Sequence, residues 1–275
     1  MEWIVQGDET DSSVIAKRLV DARRQASALP QYPGAIPASL DAGYACQDAA
    51  IPMWPSSISG WKVGKIPDAW VERLGEDRLV GPIFENRVQR PDDHRGTFAV
   101  ITGGFAAVEA EFIFVLAQDA PADKTAWTFD EAAALVHSLR VGVELAGSAL
   151  PDINRLGPPV VVSDYGNNAG LILGPVIADW QQRSMDDLTC ETFIDDVSVG
   201  TGGASSIPGG LLAALSFALS RCARRGLPLR AGQYVSTGAA TGIHDIVAGQ
   251  HARVEFPGFA VFEIDAVAAV AEVAA

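Results

Sequence analysis

Two glutamates, Glu109 and Glu111, stand in the run FAAVEAEFIFVL (residues 105–116), which is otherwise apolar. If the run is a strand, its side chains alternate, and both glutamates share a face with Phe105, Ala107, Ile113 and Val115. The opposite face is Ala106, Val108, Ala110, Phe112, Phe114 and Leu116. A strand apolar on both faces belongs in an interior rather than half in water. An ionised carboxylate without a partner there costs several kcal/mol, and two at neighbouring positions of one face also repel each other. Three arrangements answer this: an exposed strand end where both are solvated, an Arg or Lys from elsewhere, or a hard cation such as Mg²⁺ or Mn²⁺ bound through oxygen ligands. A cation site calls for a third acidic residue. Glu144, alone among Val141, Val143, Leu145 and Ala146 in VGVELAG, is available for it.

Positioning these side chains requires a surrounding set of elements. Helical spacing of Val14, Ile15, Leu19, Val20 and Ala22 predicts a helix from Ser13 to about Ala28, ended by PQYPGAIP. A short helix follows over Leu40–Ala50 and then the connector IPMWPSS. From Ser59 the pattern is mostly β: SGWKVGK, RLVGPIFENRV, FAVITGG and the glutamate run are short segments bounded by Gly, Pro and Asp. Thr128 with Glu131 three residues on forms a capping box, which predicts a helix through AWTFDEAAALVHSLR before the Glu144 run. PPVVVSD and GLILGPVIADW read as strands, and residues 197–226 as a strand, a glycine-rich loop and an apolar helix from Gly209 to Arg225. That loop is no dinucleotide fingerprint: Ser205 occupies the place of a third glycine, and no βαβ series surrounds it. Further strands and tight Gly turns close the chain. One catalytic domain over residues 1–275 is expected, with residues 1–58 mainly helical and 59–275 forming the β core.

The chain has 275 residues, 48% of them apolar, enough for a sizeable core. A formal charge of -14 argues against nucleic acid or an anionic membrane as partner, leaving small molecules and protein subunits, with a homo-oligomer expected. MEWIVQGDETD carries acid where a signal peptide carries base, and the most apolar later stretch is too interrupted to span a bilayer, so a cytoplasmic location is expected. Cys46, Cys190 and Cys222 have no paired spacing and are expected as buried thiols. The four histidines form no ligand pattern.

GWKVG, VEAEFIFVL, GVELAGS, SDYGNNAGLILG and LRAGQYVSTGAATG, in this order, resemble the 2-keto-4-pentenoate hydratase branch of the fumarylacetoacetate hydrolase superfamily, from about Leu40 to the C-terminus. The resemblance implies an α+β fold, a mixed β-sandwich roll with a helical N-terminal part. It implies that Glu109, Glu111 and Glu144 hold Mg²⁺ or Mn²⁺, that Lys62 faces a 2-oxo acid substrate, and that the Thr237–Gly242 turn, with Thr237 and Gly238, approaches the substrate carboxylate. Glu85 and Asp164 join Lys62 as candidates for proton transfer. Two departures stand out: Glu85-Asn86 where such hydratases often carry Asp-Asp, and Asp164-Tyr165 where they often carry Asp-Asn. The hydrolases' longer motif resembling NDxSxRD is absent.

The activity so implied is that of a hydro-lyase adding water to a 2-hydroxy-2,4-dienoate in aromatic-compound catabolism. Trp61, Ile83 and Phe84 are expected beside the substrate, where they would suit a hydrocarbon tail. The alternatives are decarboxylation of a 2-oxo-3-enedioate, hydrolysis of a C–C bond in an acylpyruvate, and a noncatalytic relative that keeps the fold and the metal.

Overall fold

The computed structural model describes residues 8–272, so most of the acidic N-terminal segment lies outside the described residues. Helix α1 (Asp8–Arg24) starts earlier than its apolar spacing suggests and ends before the prolines, where Ala26 turns the chain with a φ of 50°. Helix α2 (Leu40–Ala50) has the expected bounds; the Ser39 hydroxyl caps it by accepting from the Ala42 N–H.

The β part begins with β1 (Ile58–Lys65), α3 (Asp68–Leu74), β2 (Arg78–Phe84), β3 (Val88–Gln89), β4 (Arg95–Val100) and β5 (Phe105–Leu116). It continues with α4 (Phe129–Ala133), β6 (Val136–Ser148), α5 (Ile153–Leu156), α6 (Pro158–Ser163), β7 (Asn168–Val176), β8 (Thr189–Ile194) and β9 (Val197–Gly203). Helix α7 (Leu211–Arg224) and strands β10 (Tyr234–Ser236), β11 (His244–Asp245), β12 (His251–Phe256) and β13 (Ala260–Ala268) complete it. One sheet runs β2-β1-β10-β5-β6-β7-β3 with β11 also on β5; the second runs β4-β13-β12-β8-β9. Both are mixed, β1–β10, β3–β7 and β4–β13 being parallel. The sheets share a core in which Phe112 of β5 meets Phe256 of β12 edge to face at 5.7 Å. This is the expected α+β architecture. No helix among the described residues is long and apolar enough to cross a membrane. All three cysteines are buried.

Three local expectations need correcting. The capping box at Thr128 is present, but the helix it opens ends at Ala133, and Val136–Leu139 already belong to β6. Pairing of β6 with β5 along almost its whole length outweighs the local helix preference of that segment. PPVVVSD is helical: Pro158 and Pro159 occupy the first turn, where a missing N–H costs nothing, and the β-branched valines are buried by the fold around them. Asp68–Leu74, read as part of a β region, is a short helix stopped by Gly75 with a φ of 72°.

Candidate metal centre

Strands β5 and β6 lie antiparallel with Glu109 directly opposite Glu144, and Glu111 is two residues further along the same face of β5. From Ala106 to Phe114 every β5 residue is buried, so the glutamate face is interior, as its composition requires. Glu111 and Glu144 are fully buried and Glu109 is 3% exposed. One carboxylate oxygen from each can be chosen so that all lie within 4.8 Å of one another.

The donors around the three carboxylates are few. Lys62, on the neighbouring part of the sheet and 4% exposed, places Nζ 3.2 Å from Glu144 Oε1 and donates to Asn167 Oδ1 at 3.1 Å. Asn168 Nδ2 donates to the same Glu144 oxygen at 3.1 Å, and the Gly238 N–H donates to Glu111 Oε2 at 2.7 Å. Glu109 Oε1, Glu111 Oε1 and Glu144 Oε2 accept no hydrogen bond from the described residues. An Arg or Lys partner was one of the arrangements open from sequence, and Lys62 is such a partner, but one ammonium cannot balance three carboxylates. Burial, offset by Lys62 and reinforced by Glu144, pushes Glu109 up to about 7. Burial and then Glu144 and Glu109 hold Glu111 well above the usual carboxylate range. Burial pulls Lys62 down, yet Glu144, Glu109 and Glu111 outweigh it and leave the ammonium favoured. Three orphaned buried oxygens of one sign, all carboxylate, fit a hard divalent ion.

Lys62 and Glu109 open onto a cavity of about 580 Å³, the size of a small-molecule site. Thr237 and Gly238 also line it, though the Thr237 hydroxyl is already committed to the Phe112 carbonyl at 2.8 Å. Leu79, Val161, Ile207 and Ile243 supply apolar wall, and Arg78 and Asp245 supply charge.

The structure does not bring Glu85 or Asp164 to this cavity. Glu85 lies in a short turn after β2, exposed and paired with Arg90 at 2.8 Å. Asp164 is buried on the far side of the 164–168 turn, paired with Arg23 at 2.5 Å and hydrogen-bonded by Ser148. Trp61, Ile83 and Phe84 are not in its wall either. Lys62 faces the cavity, so strand alternation turns Trp61 the other way, into the core; Ile83 is fully buried, and Phe84 stacks on Trp54 at 5.3 Å.

Asn167, Asn168 and Arg78 were missed as site residues. The two asparagines sit inside SDYGNNAG, whose Gly-Asn-Asn sequence signals a left-handed turn. Arg78 carries no sequence signal that separates it from a surface arginine.

No family model matches the chain, and no curated protein does. Solved structures do. The 4-oxalocrotonate decarboxylase from Pseudomonas putida G7, complexed with magnesium and adipate, is 17% identical, with a TM-score of 0.77 over 94% of this chain and 98% of that one. The same enzyme complexed with calcium and acetate gives 0.76 over the same shares at 17% identity. The fumarylpyruvate hydrolase from Pseudomonas aeruginosa, in complex with Mn²⁺ and pyruvate, is 14% identical, with a TM-score of 0.54 over 78% of this chain and 91% of that one. At these identities the likeness is one of fold, and the chain shares the fold of the decarboxylase over nearly its whole length.

Proposed function

We propose that the protein is a divalent-metal-dependent enzyme acting on a 2-oxo acid, with Mg²⁺ or Mn²⁺ held by Glu109, Glu111 and Glu144. The observation that carries this reading is the set of three orphaned, buried carboxylate oxygens beside a cavity that Lys62 lines. A divalent ion held there would supply positive charge that favours the enolate of a 2-oxo acid over its keto form. Lys62, kept as an ammonium, adds charge at the same place and can give a proton to the enolate oxygen. The Thr237–Gly238 turn contributes close backbone approach rather than a hydroxyl donor.

Of the outcomes open to such an enolate, decarboxylation of a 2-oxo-3-enedioate has the best support. The C5–C6 bond breaks, CO₂ leaves, and the electron pair shifts through C4 and C3 onto the C2 oxygen, giving the 2-hydroxy-2,4-dienoate after one protonation. No acid–base pair is needed at C3 to C5, which agrees with Glu85 and Asp164 lying away from the cavity. Arg78 offers a second carboxylate a cation whose charge is already shared with Asp77 at 2.6 Å. It can select the anion without holding it too firmly to leave, and Leu79, Val161 and Ile207 desolvate it.

The apolar walls favour a second reading, hydration of a 2-hydroxy-2,4-dienoate, with Asp245 the acidic group available in the cavity. The test offers 2-oxo-3-hexenedioate, 2-hydroxypenta-2,4-dienoate and an acylpyruvate in parallel with Mg²⁺ or Mn²⁺, following dienol absorbance and identifying products by mass. CO₂ from the dicarboxylate is expected. Water addition to the dienoate without CO₂ release would replace decarboxylase by hydratase, and inertness toward all three would favour a noncatalytic relative.

A further inference from the structure

Arg23 is a cation on the last turn of α1 with a side chain only 7% exposed, and it lies outside the cavity. Its guanidinium serves four acceptors: Nε donates to Asp164 Oδ1 at 2.5 Å, Nη1 to the Asn168 carbonyl at 3.0 Å, and Nη2 to the Gly147 carbonyl at 2.7 Å and the Asp164 carbonyl at 3.1 Å. Gly147 is the last residue but one of the strand that carries Glu144, and Asn168 begins the strand beside it. The register between these strands shifts between Leu145 and Ala146, so one planar group ties the two backbones together where the ladder is irregular.

The turn between Asp164 and Asn168 is strained. Tyr165, Gly166 and Asn167 have φ of 58°, 63° and 56°, three left-handed residues in succession, two of them not glycine. The left-handed region is unfavourable for a residue with a Cβ, most of all for Tyr165, so the surroundings must hold the turn. They do so from both sides. A Cβ on Gly81 would stand 2.0 Å from the Tyr165 carbonyl oxygen, so the turn is pressed against bare backbone, and Arg23 grips the other side. From this turn Asn167 accepts the Lys62 ammonium and Asn168 donates to Glu144.

We infer that Arg23 is a positioning residue: it clamps the left-handed 165–167 turn to the end of β6 and so fixes the two asparagines that orient Lys62 and Glu144. The effect on Glu144 rests on the reading of the glutamates as a metal cradle; the clamp on the turn does not. The experiment compares Arg23→Gln with Leu19→Ala, a buried residue of the same helix that touches neither strand end through hydrogen bonds. Mn²⁺ affinity is measured by calorimetry and amide exchange over residues 166–170 by mass spectrometry. Arg23→Gln should weaken Mn²⁺ binding roughly tenfold or more, as loss of a group supporting a metal ligand does, and speed exchange in that segment. Leu19→Ala should lower Tm while leaving both unchanged. Millimolar guanidinium should partly restore Mn²⁺ affinity to Arg23→Ala. If Arg23→Gln does not fold, Arg23→Lys, which keeps a charge for Asp164 but cannot bridge the carbonyls, takes its place with the same expectations. Equal Mn²⁺ affinity in the Arg23 and Leu19 variants overturns the coupling to Glu144. Should the wild type take up no Mn²⁺, the metal reading falls, and unchanged exchange in Arg23→Gln overturns the clamp by itself.

Discussion

Lys62 Nζ stands 3.2 Å from Glu144 Oε1 with both side chains out of solvent, and this ion pair is the only contact between a cation and the glutamate cluster among the described residues. It binds Lys62 to the one glutamate that Asn168 also holds, leaving the ammonium fixed beside the space a substrate's 2-oxo group would enter. Lys62→Met keeps the length of the side chain and removes the charge. The cluster then becomes more negative, so divalent metal affinity should be retained or rise, while kcat should fall by about 10²–10³, the usual effect of losing one preorganised charge stabiliser. Calorimetric Mn²⁺ titration beside steady-state kinetics checks both halves; near wild-type turnover would make Lys62 a structural counter-charge only.

Removal of metal should make stability depend on pH in a particular direction. Glu109 is raised from a usual 4.5 to about 7 in the folded chain, and Glu111 is raised as well, in each case by burial first. Above pH 4.5 the unfolded chain releases these protons while the folded chain still keeps them, so stability falls as pH rises from 4.5 toward 7. Metal binding displaces the same protons and is favoured in the upper part of that range. In chelator, Tm should therefore drop between pH 5 and pH 8, and the rise in Tm on adding Mn²⁺ should be larger at pH 8 than at pH 5. A metal-induced rise independent of pH would mean that the carboxylates are ionised without the ion.

Much of this centre could be read from residue types alone, because a charge in an apolar strand has few explanations. The Glu109 and Glu111 face followed from alternation, and Glu144 from being the one acid in a comparable run. What the chain order hides is which side chains a sheet brings together. Asp164 and Asn167 are three residues apart, yet the left-handed turn between them sends one to Arg23 and the other to Lys62. Glu85 lies next to the end of β2, and a turn there carries it to Arg90 at the surface. Helix preference in residues 129–139 is a local property, whereas β6 is created by its partner β5, whose paired residues lie at least 20 positions earlier, from Leu116 opposite Val136 onward. Trp61 adjoins Lys62 in sequence, but adjacency in a strand means opposite faces, so its apolar ring is turned away from the cavity that Lys62 lines.

Arg78 should govern the choice of substrate. A charge-assisted hydrogen bond to a second carboxylate contributes about 1.5–3 kcal/mol, so Arg78→Met should raise KM for 2-oxo-3-hexenedioate roughly 10- to 100-fold. A monocarboxylic dienoate has nothing to lose, and its KM should stay within about twofold. Parallel kinetics on the two acids decide the matter. An equal rise for both would place the effect of the substitution on the Asp77 and Pro208 contacts rather than on the substrate.

Glu111→Gln separates what the cluster does for stability from what it does for metal. Glu111 is the most isolated of the three from Lys62, and its accepted bond from the Gly238 N–H can be kept by an amide oxygen. The amide N–H₂ faces Glu109 and Glu144, where it can donate to oxygens that now accept nothing. A group that must be either charged without compensation or protonated against its ordinary preference is thus exchanged for a neutral donor without loss of volume. Replacing poorly compensated buried charge in this way commonly stabilises a fold by about 1–4 kcal/mol. In chelator at pH 8 the variant should accordingly melt several degrees above the wild type. It should also fail to gain Tm from Mn²⁺ and show little turnover, since an amide is a weaker ligand for a hard cation than a carboxylate. Melting curves with and without Mn²⁺, together with metal analysis after dialysis, read all three effects. Full metal occupancy in this variant, or in Glu109→Ala combined with Glu111→Ala, would remove Glu111 from the cradle and with it the explanation for its burial.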